Sequence, residues 1–346
     1  MLLSRRSLVK ASLASAAVSF LPATHACAAA PDLAYVDPEL RTGAAAMLAQ
    51  MAKGPPLTLA TLAESRKGKP VTPLAAPAVQ KRSVPKAAGN PDVTIYIINA
   101  RPGAQRPVIV NAHGGGFVLG DARGGIPGLQ RVAAELNCVV VTVDYRLAPE
   151  TNFAGSIEDN YAALRWTYRN AATLGADPKR IAVMGGSAGG GHAALLALTA
   201  RDRGEVPLVA QVLIYPMLND RTGMTRTPAA PIGTIVWTAE HNRFGWQSFL
   251  GQAPGTAQVP ARAVPARYTD LRGLPPTFIG VGGLDLFVDE DIEYARRLVD
   301  VGVPTELVVV PGAFHGFEAI VPEAAVSRRF KASVTNALKT AFALPA

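Results

Sequence analysis

The sequence has few cysteines and few histidines. Two of the 346 residues are cysteine and five are histidine. Cys27 lies in an N-terminal segment with the features of a removable leader, so a mature chain would keep only Cys138 and could form no intramolecular disulfide. Histidines, cysteines and carboxylates are nowhere clustered at the spacing of metal ligands. The sequence therefore predicts neither a disulfide framework nor a metal site.

Concentrated positive charge is also lacking. The chain has 34 Lys and Arg against 26 Asp and Glu, a formal net charge of +8, and Arg5, Arg6 and Lys10 of the leader supply part of that excess. No cluster of five or more basic residues occurs elsewhere. Proteins that bind nucleic acid usually present a basic patch or stripe, so the sequence predicts no nucleic-acid partner.

The apolar stretch at residues 11–21 is too short to span a bilayer. It follows a basic start and precedes small residues, which is the layout of an export signal over residues 1–30. Residues 4–10 (SRRSLVK) resemble a bacterial twin-arginine signal, with cleavage after Ala28 or Ala30. The alternative is a lipoprotein signal at Cys27, but Thr24 stands where leucine is expected. The sequence predicts a periplasmic or secreted protein without stable membrane insertion.

From residue 93 onward, short β-branched runs alternate with longer helical segments. Hydrophobic residues make up 49% of the chain, enough for a large core. The alternation favours βα units and a mostly parallel sheet flanked by helices, so the predicted fold class is α/β. The predicted strands are residues 93–98, 108–112, 139–144, 181–184, 209–215, 277–281 and 305–310. The predicted helices are residues 157–174, 193–201 and 290–301.

Two segments fall outside this alternation. Residues 37–66 read as two short amphipathic helices broken at Gly54, and residues 219–268 carry several aromatic residues with no strand pattern. We expect them to fold together as a cap. The predicted organisation is N-terminal cap helices over residues 31–80 and an α/β domain over residues 81–346, with a cap insertion at about 219–268. The aromatic residues of the insertion are expected to form the core of the cap.

Residues 185–189 read Gly-Gly-Ser-Ala-Gly between an apolar run and a helical segment. A serine on a sharp turn from strand to helix has its hydroxyl exposed above the sheet, and the turn needs small neighbours. The free N–H groups of the following helix lie beside it. This context predicts Ser187 as a nucleophile.

A serine hydroxyl needs a neighbouring base to remove its proton. Of the five histidines, His315 lies in a loop just after the predicted strand 305–310, at the edge where parallel sheets present their sites. His25 lies in the leader, His241 in the cap insertion and His192 on the helix after the nucleophile, while His113 belongs to a glycine cluster. We therefore predict His315 as the general base.

An imidazole base needs a carboxylate that fixes its tautomer and stabilises its charged form. Asp285 follows the predicted strand 277–281 and precedes His315, which gives the chain order Ser, Asp, His. Asp289, Glu290 and Asp291 are nearby alternatives. They lie where the next helix begins, as carboxylates favoured by the helix dipole do. We predict Asp285 as the third catalytic residue.

Residues 113–117 read HGGGF and follow the predicted strand 108–112. Acyl transfer passes through an oxyanion that preorganised N–H groups must stabilise, and this glycine cluster is the oxyanion motif of lipases and esterases. The predicted donors are the backbone N–H groups of Gly115, Gly116 and Ala188. His113 is expected to position the loop and not to act as a base.

Over residues 37–340 the sequence resembles the bacterial hormone-sensitive-lipase-like esterases, which have the α/β-hydrolase fold. The resemblance rests on the motifs at residues 113–117, 144–150 (DYRLAPE), 177–178, 185–190, 283–290 and 314–317 (FHGF), and residues 246–251 resemble a cap segment of that group. It implies hydrolysis of small-molecule carboxylic esters with short acyl chains, without a cofactor or metal, beneath a helical cap.

One position departs from the family pattern. Members usually carry an acidic residue immediately before the nucleophile, whereas this chain has Gly186. The change leaves Ser187, Asp285 and His315 in place but removes a charge beside the nucleophile. Serine peptidases of the same fold share this feature, so a peptidase or amidase is the alternative enzyme. A ligand-binding protein that has lost the chemistry is the non-enzymatic alternative.

Overall fold

A central β-sheet forms the frame of the molecule. The computed structural model describes residues 33–68, 70–86 and 91–344, so the predicted export signal lies outside the described residues. The strands of the sheet are β1 (Val79–Val84), β2 (Val93–Ile98), β3 (Arg106–Ala112), β4 (Val139–Asp144), β5 (Ala176–Gly186), β6 (Ala210–Ile214), β7 (Thr277–Gly282) and β8 (Thr305–Val310).

The strands lie in the order β1-β2-β4-β3-β5-β6-β7-β8. Strand β2 pairs antiparallel with β1 and β4, and all other pairs are parallel. Every residue of β3 and of β7 is buried. Helices cover both faces of a parallel sheet, which is why these two strands are mostly apolar.

Ten α-helices connect and flank the strands in the described part of the chain. They are α1 (Arg41–Lys53), α2 (Leu62–Ser65), α3 (Ile126–Glu135), α4 (Phe153–Arg169), α5 (Ala171–Leu174), α6 (Ala188–Arg203), α7 (Ala239–Leu250), α8 (Val288–Asp300), α9 (Phe317–Ile320) and α10 (Ala325–Ala341). Helices α4, α6 and α8 contribute to one apolar cluster with the sheet, and α3 and α10 contribute to another. None of the described helices is long and apolar enough to cross a membrane.

All seven strands predicted from the sequence are present, and β1 is an additional one. Strand β1 lies at the edge of the sheet, and its four central residues are exposed. Its sequence, VQKRSV, is correspondingly polar and lacks the apolar run that identifies the buried strands. The strand spans the predicted boundary at residues 80 and 81.

The helix predicted at residues 157–174 begins earlier and is divided in two. Asn152 caps α4, because its side-chain oxygen accepts a hydrogen bond from the N–H of Ala154 at 3.1 Å. The regular pattern ends at Asn170, between α4 and α5. Asparagine is a preferred N-cap residue, but the prediction rested on the apolar spacing, which begins further along the chain.

Residues 37–66 contain α1 and α2, and residues 219–268 contain α7 and no strand of the sheet. Aromatic side chains of α7 pack on the glycine-rich loop after β3. The Phe117 ring stacks on Phe249 with centroids 4.0 Å apart and meets Trp246 edge-on at 5.0 Å. Leu62 of α2 belongs to the same apolar cluster. Both segments therefore share a core beside the carboxyl ends of the strands.

Candidate active site

The predicted site residues lie at the carboxyl ends of neighbouring parallel strands. Ser187 follows β5 directly, Asp285 follows β7, and His315 follows β8. The loop at residues 113–117 follows β3, which is paired with β5. In open parallel sheets this edge is where binding sites form, because the loops of adjacent strands meet there.

Ser187 occupies a strained turn between β5 and α6. Its φ is +59° and its ψ is −126°, outside the helical and extended regions. The turn is possible because its neighbours are glycines in very close contact. A Cβ atom on Gly185 would lie 2.1 Å from the carbonyl oxygen of Gly189, and one on Gly189 would lie 2.2 Å from that of Ala112. Such strain is typical of functional sites, where the surrounding structure maintains it.

His315 joins Ser187 to Asp285 by two hydrogen bonds. Its Nε2 lies 3.0 Å from the Ser187 Oγ, and its Nδ1 lies 2.7 Å from the Asp285 Oδ2. All three residues are buried. The carboxylate accepts from Nδ1–H, which leaves Nε2 as the acceptor for the serine hydroxyl. The other oxygen of Asp285 accepts a bond from the N–H of Phe287 at 3.0 Å, which orients the carboxylate.

The three alternative carboxylates point elsewhere. Asp289 pairs with Arg226 at the surface. Glu290 is buried and accepts hydrogen bonds from the N–H groups of Leu218 and Asn219, and burial raises its pKa to about 8. Asp291 is buried without a hydrogen-bond partner among the described residues, and burial raises its pKa well above the usual value. Of the four carboxylates, only Asp285 is hydrogen-bonded to His315.

The glycine loop after β3 lies beside the nucleophile. A Cβ atom on Gly114 would be 3.4 Å from the Ser187 Cβ. Gly115 and Gly116 have φ values of +121° and +59°, and in the described structure their N–H groups donate no hydrogen bond. Ala188 is the first residue of α6, so its N–H has no acceptor within the helix. Gly115 and Gly116 thus follow a glycine that lies against the nucleophile, and Ala188 follows the nucleophile directly.

His113, at the start of this loop, packs against Tyr145. The Tyr145 hydroxyl donates to the His113 carbonyl oxygen at 2.6 Å, and the two rings stack with centroids 4.2 Å apart. Burial lowers the pKa of His113, and it lowers that of His192 to about 3. Both imidazoles are therefore neutral at pH 7, and neither is hydrogen-bonded to Ser187. This arrangement fits a loop-positioning role for His113.

Arg66 ties the N-terminal segment to the same loop, which the sequence did not reveal. Its guanidinium donates to the carbonyl oxygens of Val118 and Ala148, each at 2.8 Å, and pairs with Glu150. Glu150 is the last residue of the motif DYRLAPE, so one partner of this ion pair lies in a motif that the sequence analysis identified. The other partner, Arg66, lies 84 residues earlier in the chain, and no local sequence pattern predicts that it pairs with Glu150.

Tyr215 and Glu318 are also missing from the sequence-based site. Tyr215 lies at the end of β6, with its ring centroid 4.6 Å from that of His315. Its hydroxyl lies 2.7 Å from the Glu318 Oε1, and Glu318 follows His315 by three residues. Within the described residues no group of three or more His, Cys, Asp and Glu side chains could hold a metal ion.

The part of the chain that carries these residues matches a known protein family. Residues 109–319 match the family described as having the alpha/beta hydrolase fold. The chain belongs to this family. Curated relatives of this α/β hydrolase include two from Mycobacterium tuberculosis: esterase LipI, 38% identical over 64% of this chain and 69% of the relative, and carboxylesterase NlhH, 41% identical over 63% and 70%.

Solved structures give the same result over more of the chain. A bacterial heroin esterase superposes with a TM-score of 0.77 and 38% identity, covering 89% of this chain and 98% of that one. An esterase from the archaeon Pyrobaculum calidifontis gives a TM-score of 0.73 and 31% identity over 88% and 98%. These relatives confirm the predicted fold and the resemblance to hormone-sensitive-lipase-like esterases. The α/β hydrolase described here is an esterase.

Proposed function

We propose that this esterase hydrolyses small carboxylic esters through an acyl-enzyme formed on Ser187. His315 Nε2 accepts the proton of the Ser187 hydroxyl as Oγ attacks the ester carbonyl carbon, and then gives it to the departing alcohol. A water deprotonated by the same imidazole releases the acid. The observation that carries the proposal is the continuous hydrogen-bonded chain from Ser187 Oγ through His315 to Asp285, at 3.0 and 2.7 Å.

The oxyanion of each tetrahedral intermediate is assigned to the N–H groups of Gly115, Gly116 and Ala188. Those of Gly115 and Gly116 donate no hydrogen bond in the described structure and come directly after Gly114, which lies against Ser187, and that of Ala188 begins α6. N–H groups fixed before the reaction need no reorganisation when charge develops on the substrate oxygen. The chemistry supplied by these residues is acyl transfer without a cofactor.

The acyl group is proposed to be short because a cap residue covers the oxyanion loop. The Trp237 indole lies against Gly116 so closely that a Cβ atom there would be 2.0 Å from the ring. The indole N–H donates to the Asn242 side chain at 3.2 Å, and Asn242 is itself buried and bonded to the Thr222 carbonyl oxygen. An indole fixed in this way limits the space next to the ester carbonyl.

The test is steady-state hydrolysis of p-nitrophenyl esters from acetyl to dodecanoyl. We expect kcat/KM to be highest for short chains, and Trp237→Ala to raise the ratio of decanoyl to butyryl kcat/KM by roughly tenfold, the discrimination that pocket size commonly supplies. Trp166→Ala is the matched control, because Trp166 packs against the core of the sheet. A wild-type preference for dodecanoyl would contradict the short-chain proposal. Turnover of a matched p-nitroanilide at a rate similar to the ester would favour the peptidase or amidase.

We further propose export across the inner membrane by the twin-arginine route. The support is residues 4–10, read together with the apolar stretch and small residues that follow them. Cell fractionation of the full chain checks this proposal. Activity that stays in the cytoplasmic fraction of the native host would contradict it.

A further inference from the structure

A buried tyrosine and a buried carboxyl lie behind the catalytic imidazole. The Tyr215 ring packs on His315 at an interplanar angle of 59°, and its hydroxyl is hydrogen-bonded to the Glu318 Oε1. Tyr215 has a φ of +36°, and its N–H donates to the Gly280 carbonyl oxygen at 2.6 Å. The ring is thus held in place by backbone contacts as well as by Glu318.

The space beside Gly186 faces the same tyrosine. A Cβ atom on Gly186 would lie 3.4 Å from Tyr215 Cε2 and 3.8 Å from its hydroxyl oxygen, which is ordinary contact. A carboxylate carried by residue 186 would therefore reach the Tyr215 hydroxyl. In this chain position 186 has no side chain, and the carboxyl on that hydroxyl comes from α9.

We propose that Glu318 is a positioning residue for His315 that acts through Tyr215 and supplies the carboxyl that Gly186 does not. This inference rests on the proposed function of His315 as the base. Glu318 touches no substrate in this scheme. It orients the ring against which the imidazole packs, and its negative charge stabilises the imidazolium that forms when Ser187 gives up its proton.

The surroundings of Glu318 couple it to His315. Burial raises the pKa of Glu318, while the hydrogen bond from Tyr215 and the charges of His315 and Lys331 lower it. The second carboxyl oxygen has no partner among the described residues, so the charge is not neutralised by a salt bridge there. Asp285 is hydrogen-bonded to Nδ1 of the same imidazole. Burial is the larger cause that raises the pKa of Tyr215, and the charge of Asp285 contributes to that rise.

The sign of the effect on His315 follows from charge. A nearby carboxylate stabilises the protonated imidazole relative to the neutral imidazole. The base works only when neutral, so activity is lost at acidic pH, where the imidazole is protonated. Removing the negative charge must therefore move the acidic limb of the activity profile to lower pH and must also lower the plateau, because the imidazolium is less stabilised.

The deciding experiment is the pH profile of kcat/KM for a short p-nitrophenyl ester with Glu318→Gln. Glutamine keeps the size and the acceptor for the Tyr215 hydroxyl but lacks the charge. We expect the acidic midpoint to fall by roughly 0.5 pH unit or more and the plateau to fall about threefold or more. Glu323→Gln is the matched control, since Glu323 is exposed a few residues further on. A midpoint and plateau equal to those of the control would overturn the proposal.

Two further variants test the path through Tyr215. Tyr215→Phe keeps the ring and removes the hydroxyl that contacts Glu318. We therefore expect the acidic midpoint of the kcat/KM profile to fall, as in Glu318→Gln. Gly186→Asp in the Glu318→Gln background returns a carboxylate to Tyr215, and we expect the midpoint to recover by at least half. A wild-type pH profile in Tyr215→Phe, or an acidic midpoint that does not recover in the double variant, would overturn the proposal that Glu318 acts through Tyr215. If Glu318→Gln does not fold, Tyr215→Phe decides.

Failure of this inference is distinguishable from failure of the proposed function. If the wild type hydrolyses the ester and Glu318→Gln has the same pH profile, only the proposed role of Glu318 is wrong. Absence of ester hydrolysis in the wild type itself would remove the role of His315 as well.

Discussion

Replacing Ser187 with alanine is expected to lower kcat by about 10⁴-fold or more. The hydroxyl oxygen that His315 Nε2 contacts at 3.0 Å is the atom that forms the acyl-enzyme, and no other hydroxyl in the described structure is hydrogen-bonded to that imidazole. What remains is the contribution of the oxyanion donors and of substrate binding, which still stabilise attack by water to a small extent. The measurement is single-substrate kinetics on p-nitrophenyl acetate and butyrate.

The matched control is Ser65→Ala, because Ser65 is an exposed serine on α2 and should leave kcat unchanged. Labelling with a fluorophosphonate gives a second readout: the wild type and Ser65→Ala should be labelled, and Ser187→Ala should not. The turn should survive the substitution, since alanine keeps the Cβ that already fits at φ +59°. Retention of more than roughly a thousandth of wild-type kcat would show that another residue is the nucleophile.

Much of this site was predictable because its parts are local in sequence. The turn requires glycine at positions 185 and 189, because a Cβ atom there would lie only 2.1 and 2.2 Å from a backbone oxygen, so the turn leaves a pattern in five consecutive residues. Asp285 and His315 each follow an apolar strand. Since parallel strands end at one edge of the sheet, three loops far apart in sequence were expected to meet.

The residues that were missed make their contacts across long separations. Tyr215 is 103 residues from Glu318, and Arg66 is 52 residues from Val118. Neither pair leaves a periodic or local pattern in the sequence, because each contact forms only when the N-terminal segment or α9 packs on the rest of the fold. The contact between Trp237 and Gly116 is another example. The sequence predicts an aromatic residue in the cap segment, but it does not predict that this residue packs on Gly116.

Strand β1 was missed for a different reason. A strand at the edge of a sheet needs only one hydrogen-bonded neighbour and little burial, so its residues can be polar. The signal that identifies β3 and β7 is burial on both faces. Apolar runs therefore identify the buried strands of such a sheet but not a polar edge strand. Here that strand is β1, at the edge opposite β8.

Replacing Asp285 with asparagine is the second substitution expected to have a very large effect, a loss in kcat of about 10⁴-fold at neutral pH. The carboxylate accepts the Nδ1 proton of His315 at 2.7 Å and so keeps Nε2 free to accept from Ser187. An asparagine amide that donates to Nδ1 would place the ring proton on Nε2, and this tautomer cannot accept the serine proton. The buried imidazolium would also lose the charge that stabilises it.

The two neighbouring aspartates supply the controls for that experiment. Asp289→Asn changes a carboxylate that is 64% exposed and paired with Arg226, so the free energy of unfolding should change by no more than about 0.5 kcal/mol and kcat should stay close to that of wild type. Asp291→Asn changes a fully buried carboxyl that already lies without a hydrogen-bond partner in the described structure, so its effect should fall on stability more than on kcat. Melting temperatures measured beside kcat separate these outcomes. If Asp291→Asn lost turnover while Asp285→Asn kept it, the carboxylate that orients His315 during catalysis would be Asp291, and the hydrogen bond from Asp285 would be only structural.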